Sequence, residues 1–231
     1  MMKLSIIDLP KVRYNDAWNL QKKLHSLKVE DKISDTLILL EHYPVITLGK
    51  FGKGSNILKT KEELSFLGIE CYQVERGGDV TYHGPGQLVG YLIFKIDGVK
   101  NFVLKIENTL IKLLENYGIR ASIDPKNPGV WIENRKIAAI GITIKRSVSF
   151  HGFALNINNN LTPFSYIVPC GLKDKKVTSM KEETHLPLSI EDIKEKISKL
   201  FTTEFGFQEY KIFKFSSYME DSILASLLED L

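Results

Sequence analysis

The chain has 231 residues, 43% of them hydrophobic, with 31 Lys and Arg against 28 Asp and Glu and a formal net charge of +3. That length and apolar content suit one large domain, or one domain with a small appendage, while no segment is apolar for long enough to cross a membrane. So small a net charge, with the lysines scattered, does not point to nucleic acid.

The first residues, Met1 to Asp8, read as an opening strand and not as a secretory signal. Asn15 is placed to cap a helix that carries Ala17, Leu20, Leu24 and Leu27 on one face. Thr36 to Glu41 and Val45 to Leu48 read as strands joined at Pro44. Thr60 with Glu63 forms a capping box for a short helix that Gly68 ends. Ile69 to Glu75 alternates like a strand, and Leu88 to Ile96 is a nearly continuous apolar run of the buried-strand kind. Asn101 is expected to open a helix with Val103, Ile106, Leu110, Leu113, Leu114 and Tyr117 inward, stopped by Gly118. Val130 to Ile132 and Ile137 to Ile144 form a hairpin around Glu133-Asn134-Arg135, and Ser149 to Ile157 is another strand. Ser189 starts a helix with Ile190, Ile193, Ile197, Leu200 and Phe201 inward. The pattern predicts an α+β fold, a single domain with a mixed, largely antiparallel sheet flanked by helices. Its expected extent is residues 1–206, followed by a segment 207–231 with a helix from about Ser217 and no chemical clue of its own.

Between the two strands that end at Glu75 and begin at Leu88 lies Arg76-Gly77-Gly78-Asp79-Val80-Thr81-Tyr82-His83-Gly84-Pro85-Gly86-Gln87. Four glycines and a proline make this an irregular loop, neither strand nor helix, through which main-chain N–H groups and a substrate can approach closely. A loop mounted between sheet strands is a rigid support for chemistry, and Arg76, His83 and Gln87 lie within it. Three further pieces join it. Pro169-Cys170-Gly171 places a thiol in an irregular turn. Cys71 shares a strand face with Ile69 and is expected as a small core residue. Two cysteines make no disulfide framework, so a reducing cytoplasm is the expected setting. Lys136, in Arg135-Lys136-Ile137-Ala138-Ala139-Ile140-Gly141, reads on position alone as a solvated turn lysine. His151, in His151-Gly152-Phe153-Ala154-Leu155-Asn156, is open between a site residue and a core or capping histidine.

Taken together these pieces resemble the lipoate-pathway octanoyltransferases, related in fold to the biotin and lipoate ligases. The matching residues are Arg76-Gly77-Gly78 with Thr81, His83-Gly84-Pro85-Gly86-Gln87, Gly129-Val130-Trp131, Lys136-Ile137, Gly141, His151-Gly152 with Ala154-Leu155-Asn156, and Pro169-Cys170-Gly171. Tyr14 and Ala17-Trp18 match that family's first helix, so the likeness runs from about Tyr14 to Phe201. It implies an octanoyl-[acyl carrier protein]:protein N-octanoyltransferase. By position, Cys170 is the nucleophile and Lys136 its acid/base partner. The acyl pocket is formed by Arg76, Gly77, Gly78, Asp79, Val80, Thr81, Tyr82 and His83, by Ala139, Ile140 and Gly141, and by Gly152, Phe153 and Ala154. The implied partners are acyl carrier protein and the lipoyl domains of 2-oxoacid dehydrogenase complexes and of glycine cleavage H protein. No cofactor is implied, neither ATP nor metal, because passing from thioester to amide is downhill.

Three other readings stand beside this one. A lipoate or biotin ligase activates a free acid with ATP and also carries a glycine-rich loop and a lysine, but gives Pro169-Cys170-Gly171 no task. A zinc protein built on His83, His151 and Cys170 lacks short metal-site spacing. A non-catalytic acyl binder would need neither Cys170 nor Lys136. Lys173, Lys175 and Lys176, close behind the cysteine, are placed either to steer an acidic partner or to form a solvated turn.

Overall fold

The computed structural model describes residues 2–168 and 176–230. The first half comprises β1 (Lys3–Val12), α1 (Tyr14–Val29), β2 (Asp35–His42), β3 (Val45–Leu48), α2 (Lys61–Phe66), β4 (Glu70–Gln73), β5 (Val80–His83), β6 (Gln87–Ile93) and α3 (Val99–Glu115). The second half adds β7 (Ser122–Ile123), β8 (Gly129–Ile132), β9 (Arg135–Lys145), β10 (Val148–Asn156), β11 (Lys176–Val177), α4 (Met180–Thr184), α5 (Ile190–Phe205), β12 (Glu209–Lys214) and α6 (Glu220–Leu228).

The main sheet runs in the order β12-β1-β2-β6-β10-β9-β8-β7, with β11 pairing β9 off that path. Its β12, β1 and β2 are mutually parallel, and β2-β6-β10-β9-β8-β7 is antiparallel throughout, so the sheet is mixed and largely antiparallel. Because side chains alternate along a strand, each apolar run supplies both faces. Leu37, Leu39, Leu88, Leu92, Phe153 and Leu155 pack against α3 and α5, whereas Ile38, Leu40, Val89, Tyr91, Ile93 and Ala154 pack against α1 and α6. Sandwiching the sheet between two helical layers explains why β6 is buried at every position. A smaller sheet, β4-β3-β5, with β3 antiparallel to β5 and parallel to β4, stands beside it over a separate cluster that includes Ile46, Leu64, Tyr82 and Phe164. This is the α+β fold with helices on both sides that the pattern predicts. Among the described residues no helix is long and apolar enough to cross a membrane.

Five local expectations change. Helix α1 starts at Tyr14 with Arg13 as its uncapped N-terminus, not at Asn15, because β1 runs to Val12 and leaves a single linking residue. Helix α3 starts at Val99 behind Gly98, whose carbonyl accepts the Phe102 N–H, so Asn101 lies inside it. The glycine-rich segment is not loop throughout. Val80-Thr81-Tyr82-His83 is β5, since β-branched and aromatic residues fit a pleated surface and β3 offers a free edge. Cys71 is exposed, not core, because β4 is an edge strand with one neighbour. The segment after residue 206 holds an edge strand as well as a helix. There β12 pairs with β1, and Ile223 and Leu227 of α6 are buried against the sheet.

Candidate active site

A cavity of about 370 Å³ opens where the small sheet leans on β6, β9 and β10 of the large one. Its first wall is the segment from Arg76 to Thr81 together with His83. Arg76 is 8% exposed and holds this segment to β3, donating from Nη2 to Thr47 O at 2.6 Å and to Thr47 Oγ1 at 2.9 Å, and from Nη1 to Gly77 O at 3.0 Å. The Gly77 N–H donates across to Ile142 O of β9 at 3.0 Å. A Cβ at Gly141 would sit 2.9 Å from Gly77 O, so the absence of a side chain there is what lets the loop lie on the strand.

The second wall is Ala139, Ile140, Gly141 and Ile142 of β9, with Gly152, Phe153 and Ala154 of β10 and Val89 and Tyr91 of β6. Small and apolar residues there leave an extended slot. The sequence named Tyr82 among the pocket residues, but it does not line the cavity. Its ring packs instead on Phe164, at 5.6 Å between centroids, in the cluster under the small sheet, while His83 lines the cavity.

Lys136 stands in the rim formed with Lys126, Asn127 and Pro128. It is not a solvated turn lysine, being 9% exposed, with Nζ donating to Pro128 O at 3.2 Å and lying 4.6 Å from the centre of the Trp131 ring. A register shift between Val130 and Trp131, opposite Ile137, turns it there. Gly129 has φ of +133° and its N–H donates to Glu107 Oε1 on α3 at 2.9 Å, which fixes the turn under Lys136. Burial raises the Glu107 carboxyl, against the pull of the Gly129 N–H and the Lys136 charge. Val177 of β11 pairs with Lys136, and the Thr178 N–H donates to Lys136 O at 3.0 Å. Cys170, with Pro169 and Gly171, lies outside the described residues, as do Lys173 and Lys175; Lys176 is exposed on β11.

The remaining wall of the cavity is aromatic and histidine-rich. Tyr14 stacks on His83 with ring centres 6.2 Å apart and planes 10° apart. His42 contacts both, its Nδ1 bonded to Val12 O at 2.8 Å and its Nε2 to Tyr91 OH at 2.6 Å. His151 has φ of +61°, donates its backbone N–H to Gln21 Oε1, and places Nε2 3.9 Å from Glu75 Oε2. Burial lowers all three imidazoles, His42 to about 4 and His83 to about 3, so each is neutral at pH 7. His151 therefore joins the site and is not a core residue apart from it. Among the described residues no group of three His, Cys, Asp or Glu is arranged to hold a metal ion.

Sequence reasoning did not assign pocket roles to Tyr14, Tyr91, His151, Val103 or Lys126 to Pro128. Tyr91 sits in an apolar run and reads as core. Lys126 to Pro128 had one signal, their position just ahead of Gly129.

Residues 13–202 match the family model described as the lipoyl protein ligase A/B catalytic domain. A protein named octanoyltransferase from Dictyoglomus thermophilum is 61% identical over 232 aligned positions, covering 100% of both chains. In fold, the chain is similar to a bipartite lipoate protein ligase from Thermoplasma acidophilum, studied with its E2 lipoyl domain. That likeness has a TM-score of 0.73 at 14% identity, over 99% of this chain and 93% of that one. The biotin protein ligase of Aquifex aeolicus is more distant, with a TM-score of 0.52 at 12% identity over 89% of this chain and 70% of that one. The chain therefore belongs to the lipoyl protein ligase A/B catalytic-domain family, and within it to the octanoyltransferases.

Proposed function

We propose that the octanoyl group passes from a carrier-protein thioester to Cys170, and from Cys170 to the ε-amine of a lysine on a lipoyl domain. The observation that carries this reading is a buried lysine, Lys136, at the rim of a slot walled by Ala139, Gly141, Gly152 and Ala154. In the first half-reaction the Cys170 thiolate attacks the donor carbonyl, its C–S bond forms as the donor C–S bond breaks, and Lys136 gives a proton to the departing phosphopantetheine thiol. In the second half, the acceptor amine attacks, the C–N bond forms, the Cys170 C–S bond breaks, and the neutral Lys136 takes the amine proton. Passing from thioester to amide is downhill, so the cycle calls for neither ATP nor metal.

The slot is suited to an acyl chain. Burying about seven carbons contributes ~5 kcal/mol at ~0.8 kcal/mol per methylene. A lipoyl domain is the acceptor in keeping with the family, whose Thermoplasma member was studied with one. The acyl donor is acyl carrier protein, with Lys176 and its neighbours Lys173 and Lys175 offering charge to an acidic partner.

The test is intact-protein mass after mixing with octanoyl-acyl carrier protein, without ATP or added metal, beside Cys170→Ala. The expected result is a gain of one octanoyl group that hydroxylamine removes and the variant lacks. No gain with fresh reduced enzyme, together with acyl transfer only when free octanoate and ATP are supplied, would replace this reading with that of an adenylating ligase.

A further inference from the structure

We infer that His83 is locked as its Nδ1–H tautomer and offers the Nε2 lone pair to the cavity, where it orients the N–H of the attacking amine. The lock is a chain of buried amides whose directions are set by two backbone carbonyls. At one end, Asn156 Nδ2 lies 2.9 Å from Thr178 O, and a carbonyl oxygen only accepts. The Asn156 oxygen must then face the other way, where it receives Gln87 Nε2 at 2.9 Å and Asn159 Nδ2 at 3.1 Å. Gln87 Nε2 also donates to Tyr82 O at 3.2 Å, a second acceptor-only group, so two partners agree on which end of the amide is nitrogen. Gln87 Oε1 is left facing His83 Nδ1 at 2.8 Å, and that nitrogen must carry the hydrogen.

Gln87 and Asn156 are 1% and 4% exposed, so water does not compete for these bonds. With Nδ1 committed, a neutral imidazole has its lone pair on Nε2, and no described residue hydrogen-bonds that atom while the ring lines the cavity. The titratable and charged groups around the ring are Tyr14 from α1, His42 from β2, Arg76 from the loop and His151 from β10. Arg76 and the two histidines all disfavour a second proton on it.

An octanoyl chain has no hydrogen to donate, so the group that can use Nε2 is the incoming amine. The identity of that amine rests on the acyl-transfer reading above; the tautomer does not. The N–H bond to Nε2 turns the amine lone pair toward the acyl carbonyl. The proton released when C–N forms and C–S breaks still goes to Lys136, since an imidazole kept neutral by burial is a poor base. The same amide chain ends at Thr178, whose N–H is bonded to Lys136 O, so one network holds both the orienting group and the strand of the acid/base group.

The first test is nitrogen-15 NMR of the imidazoles of the full chain at pH 7, with His83 assigned from the signal lost in His83→Gln. Protonated-type Nδ1 and unprotonated-type Nε2 are expected; the reverse pattern, or two protonated nitrogens, overturns the inference. The second is Gln87→Glu, which keeps an acceptor beside Nδ1 but adds a charge that favours imidazolium, turning Nε2 into a donor. Amine discharge of the acyl-enzyme should fall about tenfold at pH 6 and recover as pH rises and His83 deprotonates. A profile parallel to that of the parent protein would sink the orienting role. Should that variant fail to fold, the parent spectrum still decides the tautomer. Absence of an acyl-enzyme would count against Cys170 and leave the His83 spectrum to be read on its own.

Discussion

Glu107 reaches from helix α3 beneath the strand of Lys136 to accept the Gly129 N–H at 2.9 Å. This buried carboxyl, 4% exposed, is therefore part of what keeps the 127–129 turn against the Lys136 ammonium. Glu107→Ala would leave a buried N–H without its acceptor and should destabilise the protein by ~1–3 kcal/mol. Glu107→Gln keeps an acceptor oxygen and removes a charge that burial disfavours. The carboxyl is raised in the fold, so its charged form weakens the folded state as pH climbs through that raised value. At neutral pH the Gln variant should accordingly match or exceed the parent in stability. Urea unfolding midpoints at pH 7 check both; equal midpoints for the Ala and Gln variants would remove the hydrogen bond from the account.

Ala139 lines the slot from β9 and is opposed by Ala154 in register on β10. Ala139→Leu fills part of the space that an extended chain would occupy, without touching Lys136 or the loop at Arg76. The expected outcome is a preference shifted to shorter acyl donors, with each methylene worth ~1–3 kcal/mol in such a pocket. Competing octanoyl and hexanoyl donors in one reaction reads this directly. An unchanged octanoyl-to-hexanoyl ratio would place the acyl chain elsewhere.

Acid should unfold the protein early. His42, His83 and His151 are held neutral by burial, with His42 lowered to about 4 and His83 to about 3. Above pH ~6.5 both folded and unfolded forms are neutral and these groups contribute no pH dependence. Below it the unfolded chain takes up protons that the fold refuses. Stability is then lost at ~1.4 kcal/mol per pH unit for each fully lowered histidine, until the folded values are reached. Melting temperatures recorded between pH 8 and pH 4.5 should hold level and then decline from near 6.5. A level curve down to pH 5 would mean that the histidines are charged in the fold.

Much of this molecule was legible in the chain because burial leaves a local trace. The run Leu88 to Ile93 is apolar at both strand faces because helices cover both, and the capping box at Thr60 and Glu63 forms as written. The slot was legible through its small residues, Gly77, Gly141, Gly152 and Ala154. What escaped depends on pairing at a distance. Nothing local tells Val80 to His83 that β3 offers a free edge. Glu107 lies among the inward positions of α3 and gives no hint that a glycine 22 residues later needs its oxygen. Tyr91 and His151 are set apart from ordinary core residues only by the cavity that β6 and β10 create together. The exposure of Cys71 likewise follows from edge position and not from the alternation around it.

Strand β12 lies parallel to β1, pairing Lys3 with Glu209 through Asp8 with Lys214. A ribosome makes β1 first and releases β12 some two hundred residues later. During that interval the outer edge of β1 has no partner from its own domain, and its main-chain groups are open to any passing strand. Burial of the β1 side chains on α5 also waits, since α5 is made just before β12. The growing chain therefore spends most of its synthesis with an unfinished sheet, and the last strand to emerge is the one that makes the sheet safe from its neighbours.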